Sequence, residues 1–452
     1  MTKNIFGQMQ MAVSNLDPVH DAGRVLGVSG GTVQVGGVTA SARVGDRAWV
    51  ICDDRQLLGE VVKLETACIH LLMAAETDGI SIGDRAVFQP QPVFAPDRSW
   101  IGRVVDPDGN PIDGKPLLPG AQARRRRAPP PSAHKRRAMG KRLETGLAVF
   151  NTMLPIVEGQ RVGLFAGSGV GKSTLLADLA RGVTANVIVI ALVGERGREL
   201  RHFIDEVLGP EGMERAIVVA ATSDQSPQMR RQCAWAATAI AEHFRDEGQQ
   251  VLLLIDSVTR FCEAHREVAV AAGEKANLRG FPASTGPAIA ALCERAGPGY
   301  AGAGDITAVF SVLVAGSDMD EPIADMLRGI LDGHIVLDRN IAERGHFPAI
   351  NVLKSVSRAL PSAASAQENA LISQARAHLG CYDRAELMIQ SGLYAAGSDK
   401  SIDAAIQCVP AIQDLMTVKD TRGSLAHFAK LRQAVSASGN RMMPDENHTN
   451  MI

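Results

Sequence analysis

The sequence predicts an α/β protein in three parts: a parallel sheet wrapped by helices, a small antiparallel barrel ahead of it, and a helical domain after it. Three observations predict this. From about 161 to 315 the apolar runs are continuous rather than alternating: "RVGLFA" (161–166), "VIVIALV" (187–193), "AIVVAA" (216–221), "VLLLI" (251–255) and "ITAVFSVLVA" (306–315). Helical stretches such as 228–246 and 285–296 lie between most of them, and strands buried on both faces with helices between them form parallel sheets. Ahead of this region, glycines interrupt short apolar runs every few residues between 22 and 92, as in the strands of a small barrel. Behind it, "LISQARAHL", "AELMIQSGLYAAG", "SIDAAIQCVPAIQDLM" and "SLAHFAKLRQAV" carry apolar residues at helical spacing.

Taken in order, residues 1–21 form an N-terminal segment in which Ile5, Met9, Ala12, Val13 and Leu16 fall on one helical face. A frayed terminus is the plainer reading of the same stretch. Residues 22–92 are the barrel. Within it "VGDRAWV" (44–50) is echoed by "IGDRAVF" (82–88), which can mean only that two similar turns recur. "QPQPVFAP" (89–96) marks a boundary, and "DPDGNPIDGKP" (106–116) is dense in turn signals. The basic run "ARRRRAPPPSAHKRR" (123–137) reads as a solvated, proline-stiffened connection, because no aromatic residue interleaves its charges as a nucleic-acid patch would require. The sheet domain spans 93–362 and the helical domain 363–452, ending in a polar tail.

Composition narrows the function classes. At 452 residues the chain holds two or three domains. A net charge of −2, from 47 basic and 49 acidic residues, gives no bulk attraction to nucleic acid or anionic lipid, and 4% aromatics is little for stacking bases. Seven cysteines contain no CxxC pair, so buried free thiols in a reducing compartment are expected. There is no secretory h-region at the start and no clean apolar run of 18 residues, which predicts a cytoplasmic protein without a membrane span.

The chemistry is carried by "AGSGVGKST" (166–174). It follows one predicted strand and opens a helix, the setting of a phosphate-binding P-loop. Ala166 stands where glycine is usual. Gly167, Ser168, Gly169, Val170 and Gly171 form the cradle, whose backbone N–H groups converge on phosphate oxygens. Lys172 would reach the β- and γ-phosphates of a nucleotide, Ser173 would ligate Mg²⁺, and Thr174 continues the loop into a helix whose N-terminus favours an anion. Hydrolysis needs more than a cradle. Asp256 ends the strand "VLLLID", where an acid would sit beside Mg²⁺, although it can also serve as an ordinary cap for a helix from 257. Glu195 follows the strand "VIVIALVG" and is placed to polarise an attacking water, since ligands of such sheets sit beyond the carboxyl ends of the strands. It can equally be a surface charge in "ERGRE".

Together "AGSGVGKST", "LVGERGRE", "LLLIDSVTRF", "DGHIVLDR" and "SVSR" resemble the catalytic core of the rotary-type ATPases, and within these the type III secretion ATPases, above all their flagellum-specific branch. The resemblance runs from about 22 to 420. It implies a P-loop NTPase core of the RecA/F1 type. It further implies catalytic roles for Lys172 and Glu195, with Arg196 beside the latter, and Mg²⁺ at Ser173 and Asp256. Phe347 matches an aromatic against the adenine, and Arg358 of "SVSR" an arginine finger acting in trans on a neighbouring subunit's site. Without the resemblance Arg358 is a surface arginine. "GERGRELRHFIDEVLG" departs from the "GERTREGND" of the F-type catalytic subunit, which favours the export branch, as does Ala166. The presence of Glu195 argues against a noncatalytic sister subunit. The implied activity is ATP hydrolysis powering protein export by unloading and unfolding export substrates. The implied partners are five further copies in a homohexamer, a regulator or stator bound at the N-terminal segment, export chaperones and substrates, and a membrane export gate, with no nucleic acid. The implied location is cytoplasmic, peripheral to the flagellar base at the inner membrane. Two other readings stay open: an injectisome ATPase for effector proteins, and a ring-shaped RNA-dependent ATPase.

Overall fold

The structure, a computed structural model, describes residues 19–90, 92–314 and 319–436. The predicted helical face at Ile5–Leu16 and the polar tail from 437 lie outside them. The chain forms two compact units, one of residues up to Gly140, Glu158–Arg181 and Ala185–His334, the other of Lys141–Val157, Gly182–Thr184 and the residues from Ile335 on. Among the described residues no helix is long and apolar enough to cross a membrane. All seven cysteines are free and all but Cys381 are buried.

The first unit opens with the barrel. β1 (Ala22–Ser29), β2 (Thr32–Gly36), β3 (Arg47–Cys52), β4 (Arg55–Leu64), β5 (Ile69–Met73) and β6 (Arg85–Gln89) close in the order β1-β2-β5-β4-β3-β6. Alternate residues such as Val33, Val35, Val50, Ile69 and Leu71 fill its interior. The echoed heptapeptides are one turn used twice. Gly45 and Gly83 take φ of 94° and 97°, and Asp46 and Asp84 each accept the backbone N–H three residues back, at 2.7 and 2.8 Å. The two strands that follow, β3 and β6, pair with each other.

The sheet of the same unit is built from β7 (Val104–Val105), β8 (Arg161–Ala166), β9 (Val187–Glu195), β10 (Ala216–Thr222), β11 (Val251–Asp256) and β12 (Asp305–Leu313). These strands run parallel in the order β8-β12-β11-β9-β10-β7. Among the described residues of the continuous apolar runs, all but Arg161 and Leu313 are buried, as two-sided cover demands. Glu195 ends the strand next after the P-loop strand in sequence, but not in space, since β12 and β11 separate β8 from β9. Three helices matter to the site: α1 (Lys172–Gly182), α2 (Pro227–Asp246) and α3 (Val258–Ala271). Proline at the first position and Ser226 accepting from Met229 N–H start α2; Ser257 accepting from Arg260 N–H starts α3.

The barrel is seated on α2. Arg47 and Glu60 oppose each other across β3 and β4. Gln228, Arg231 and Gln232, at i, i+3 and i+4 on one helix face, meet them. Gln232 donates to Glu60 at 2.9 Å and accepts from Arg47 at 3.0 Å, Arg231 pairs with Glu60 at 3.3 Å, and Gln228 donates to the Leu72 carbonyl at 2.8 Å. Arg47 also holds Asp108 through two bonds of 2.5 and 3.0 Å.

The basic run is mostly exposed and irregular, as a solvated connection is expected to be, but five of its arginines are tied down. It is a strap against the unit. Arg124 pairs with Asp246 at 2.8 Å, Arg126 with Asp108, and Arg137 with Asp305 at 2.6 Å. Arg136 donates to the Glu294 carbonyl, and the Arg127 guanidinium lies 3.6 Å from the centre of the Trp235 ring. Asp108, Asp246 and Asp305 hold three of its arginines, partners that the composition of the run does not reveal.

In the second unit α4 (Ala366–Gln390), α5 (Lys400–Thr417) and α6 (Gly423–Ser436) form the helical part. A capping box at Ser365 and Glu368 starts α4, and Arg142 holds Glu368 at 3.1 Å.

Candidate active site

The P-loop leaves β8 at Ala166, whose carbonyl accepts from Val314 N–H at 3.1 Å. Gly169 and Gly171 take φ of 77° and 87°, a region open to glycine at little cost. A Cβ at Gly169 would meet nothing within 4 Å, so the requirement there is conformational and the space above the loop stays open. Val170 is buried and pins the loop, while Ser168, Ser173 and Thr174 are exposed. Lys172 begins α1, and its ammonium is paired with the Asp256 carboxylate.

Asp256 sits at the end of β11 and is buried. Its role as a helix cap is excluded, because Ser257 caps α3. Its Oδ1 accepts from both Lys172 and the Ser311 hydroxyl of β12, the latter at 2.7 Å. Residues of three separate runs thus meet at one carboxylate. Ser311 went unread in the sequence. Its signal is a serine deep inside the apolar run "ITAVFSVLVA", whose other hydroxyl, Thr307, lies at the start of the strand.

Glu195 is aimed by an irregularity in β9. Along the β9–β10 ladder Val193 pairs with Ala221 and Glu195 with Thr222, so Gly194 is an extra residue. Its φ of 67° fits that place. Arg260 of α3 donates to the Gly194 carbonyl at 2.6 Å and lies 3.6 Å from the Glu195 carboxylate. Burial, the charge of Asp256 and a hydrogen bond with Glu199 together raise the Glu195 carboxyl to about 7, against the opposing pull of Lys172 and Arg260. Glu195 is therefore not a solvated surface charge, and the fields of Asp256 and Lys172 reach it. Arg196 is exposed and pairs with Glu199 at 3.3 Å. Arg260 and Glu199 were also unread; Arg260 stands four residues after Asp256 in "LLLIDSVTRF".

The donor set suits Mg²⁺. The Ser173 hydroxyl and the Asp256 carboxylate are hard oxygen ligands, and no thiol or imidazole competes among the residues described at this site.

Phe347 and Arg358 belong to the second unit. Phe347 is half exposed ahead of Pro348. Arg358 is exposed, and the serines before it are anchored. Ser355 donates to Asn351 O at 2.6 Å and accepts from Val336 N–H at 3.0 Å, and Ser357 donates to Pro155 O at 2.6 Å.

Comparison with known proteins fits this geometry. Residues 146–357 match the ATP synthase alpha/beta family, nucleotide-binding domain, and residues 364–432 the T3SS EscN ATPase C-terminal domain. The "Flagellum-specific ATP synthase" of Caulobacter vibrioides is 44% identical over 90% of this chain and 93% of its own. That of Agrobacterium fabrum is 41% identical over 95% and 91%. The "Type 3 secretion system ATPase" of Pseudomonas syringae is 42% identical over 82% and 84%. Among solved structures, the assembled ATPase EscN of the enteropathogenic E. coli type III secretion system superposes with a TM-score of 0.84 at 34% identity, covering 91% of this chain and all of that one. The chain belongs to the ATP synthase alpha/beta family, in the group of flagellum-specific and type III secretion ATPases.

Proposed function

We propose that this chain hydrolyses ATP with Mg²⁺ and that the turnover powers protein export through the flagellar type III apparatus. The observation that carries the reading is the convergence of Lys172, Asp256 and Ser311 on one buried contact, with Glu195 held nearby by Arg260 and Gly194. In this reading residues 93–362 are the ATPase domain, 22–92 the barrel domain and 363–452 the helical domain. The cradle Gly167–Thr174 and Lys172 bind the phosphates, Phe347 lies against the adenine, and Ser173 and Asp256 hold the ion. Mg²⁺, when bound, neutralises charge on the β- and γ-phosphates. Glu195, deprotonated, orients and polarises the water. Arg358 reaches the site of a neighbouring copy and stabilises charge on the transferring group, a contribution of about 10³–10⁵ in rate, or roughly 4–7 kcal/mol.

One chain supplies both cradle and finger, so six copies close a ring of like sites. EscN is solved as an assembled ATPase and with its central stalk EscO, which supports a ring and a stalk-like regulator here. The names of several 38–48% identical relatives support the flagellar branch. Export chaperones, their cargo and a membrane export gate complete the partners, and the complex works on the cytoplasmic side of the flagellar base.

The test is ATPase activity and nucleotide binding of Glu195→Gln beside the wild type, with ring size by electron microscopy across a dilution series. The variant should bind nucleotide and fail to turn over, and wild-type specific activity should rise cooperatively as rings form. Turnover by Glu195→Gln, or activity strictly proportional to protein with no ring present, refutes the reading.

A further inference from the structure

A second cluster of ligating side chains lies away from the nucleotide site, on the barrel. β4 and β5 are joined by the turn Glu65–Cys68, closed by the Glu65 N–H donating to the Cys68 carbonyl at 2.9 Å. The ladder pairs Lys63 with His70 and Leu64 with Ile69. Alternation puts Ile69 and Leu71 inside the barrel, so Cys68, His70 and Leu72 share the outer face of β5. Leu72 there packs with Val62 against Val268 of α3. Glu65, leaving β4, turns its carboxylate onto the same spot. The His70 Nε2 lies 3.4 Å from one Glu65 oxygen, and the Cys68 Sγ lies 3.8 Å from the other and 3.9 Å from Nε2. Among the described residues this is the one group of three such side chains whose ligand atoms lie within 4.8 Å of one another.

Those separations are near what a metal ion needs. A tetrahedral zinc ion, with bonds of about 2.0–2.3 Å to oxygen, nitrogen and sulfur, holds its ligand atoms about 3.3–3.6 Å apart. The triangle here is wider than that by a few tenths of an ångström at its two sulfur edges, within reach of small rotations about χ angles. The ligand types select the ion. A thiolate and an imidazole favour Zn²⁺ over Mg²⁺ or Ca²⁺, whose hard character calls for oxygen. We propose that Glu65, Cys68 and His70 bind one Zn²⁺, which ties the β4–β5 turn together and leaves a fourth position to water. Cys68 loses its thiol proton to solvent on binding, and Glu65 gives up its 2.5 Å ion pair with Lys63. The site is independent of the ATPase reading, since none of its residues touches the P-loop cluster.

The experiment titrates chelator-stripped, full-length protein with Zn²⁺ against a chromophoric competitor, with Mg²⁺ and Ca²⁺ as controls. One Zn²⁺ per chain is expected, with binding more than about 100-fold weaker in Cys68→Ser and in His70→Gln, because even outer-shell changes cost about 10–100-fold. Lys63→Gln should bind more tightly. Co²⁺ in place of Zn²⁺ should give a thiolate charge-transfer band that Cys68→Ser lacks, and Zn²⁺ should raise the melting temperature of the wild type and of Lys63→Gln but not of Cys68→Ser or His70→Gln. Circular dichroism verifies that the variants are folded. Equal Zn²⁺ binding by wild type and folded Cys68→Ser, or no stoichiometric binding by the wild type, overturns the proposal.

Discussion

Glu195 holds its proton to about pH 7 because its carboxyl is largely buried, stands in the field of Asp256 and shares a hydrogen bond with Glu199. A carboxyl raised in this way is uncharged below its pKa and becomes an acceptor for a water proton only above it. The acidic limb of kcat/KM should therefore fall near pH 7, not near the usual carboxylate range. Glu199 is lowered by the same hydrogen bond, so it is the charged partner toward which the Glu195 proton points. Glu199→Gln removes that charge and should move the limb to lower pH; a pH–rate profile reads it directly, and an unmoved limb refutes the coupling. The candidate residues Lys172, Asp256 and Glu195 were legible because a P-loop lysine, a strand-ending aspartate and a glutamate after a strand each carry local context. Ser311 and Arg260 were not. Nothing beside them in sequence says that one reaches Asp256 and the other Gly194.

Among the elements, β9 carries a one-residue irregularity at the candidate site. Gly194 adds a residue to the ladder just before Glu195, and Arg260 fastens its carbonyl. A Cβ at this position would stand 3.3 Å from the Arg260 side chain, on a backbone with φ of 67°. Gly194→Ala should cost about 1–2 kcal/mol through the left-handed conformation. It should also lower kcat by about 100-fold by displacing Glu195 and its clamp. Nucleotide affinity, carried by β8 and α1, should hold. Stopped-flow turnover and equilibrium nucleotide binding separate the two effects, and a variant with full kcat removes the bulge from the mechanism. The strands were legible from their unbroken apolar runs, and the echoed turns from their glycine–aspartate pairs. The exposed course of the basic run was legible but its anchors were not: Asp108, Asp246, Asp305 and Trp235 are up to 168 residues away in sequence.

At the scale of the molecule, a closed barrel could be read from strand spacing, but its seat on α2 could not. That seat is polar and buried: Glu60 and Arg231 are 5% and 7% exposed. Removing one member of such a pair strands the other's charge, so Glu60→Ala should destabilise the first unit by about 3–5 kcal/mol. Urea unfolding followed by the fluorescence of Trp49, Trp100 and Trp235 tests this, and a loss under about 1 kcal/mol would make the pair no better than an exposed one. The bond between Lys172 and Asp256 has a wider consequence. The P-loop lysine already has an internal counter-ion, so on the proposed function binding a phosphate is an exchange and not a simple addition. In that reading Lys172 would leave Asp256 to take a phosphate oxygen, and the vacated carboxylate would then call for a divalent cation. The expected consequence is that nucleotide and metal arrive as a pair. Asp256→Asn frees the ammonium beforehand, and should narrow the gap between nucleotide affinities measured with magnesium and with EDTA. An unchanged gap in that variant would mean the lysine is not held in reserve.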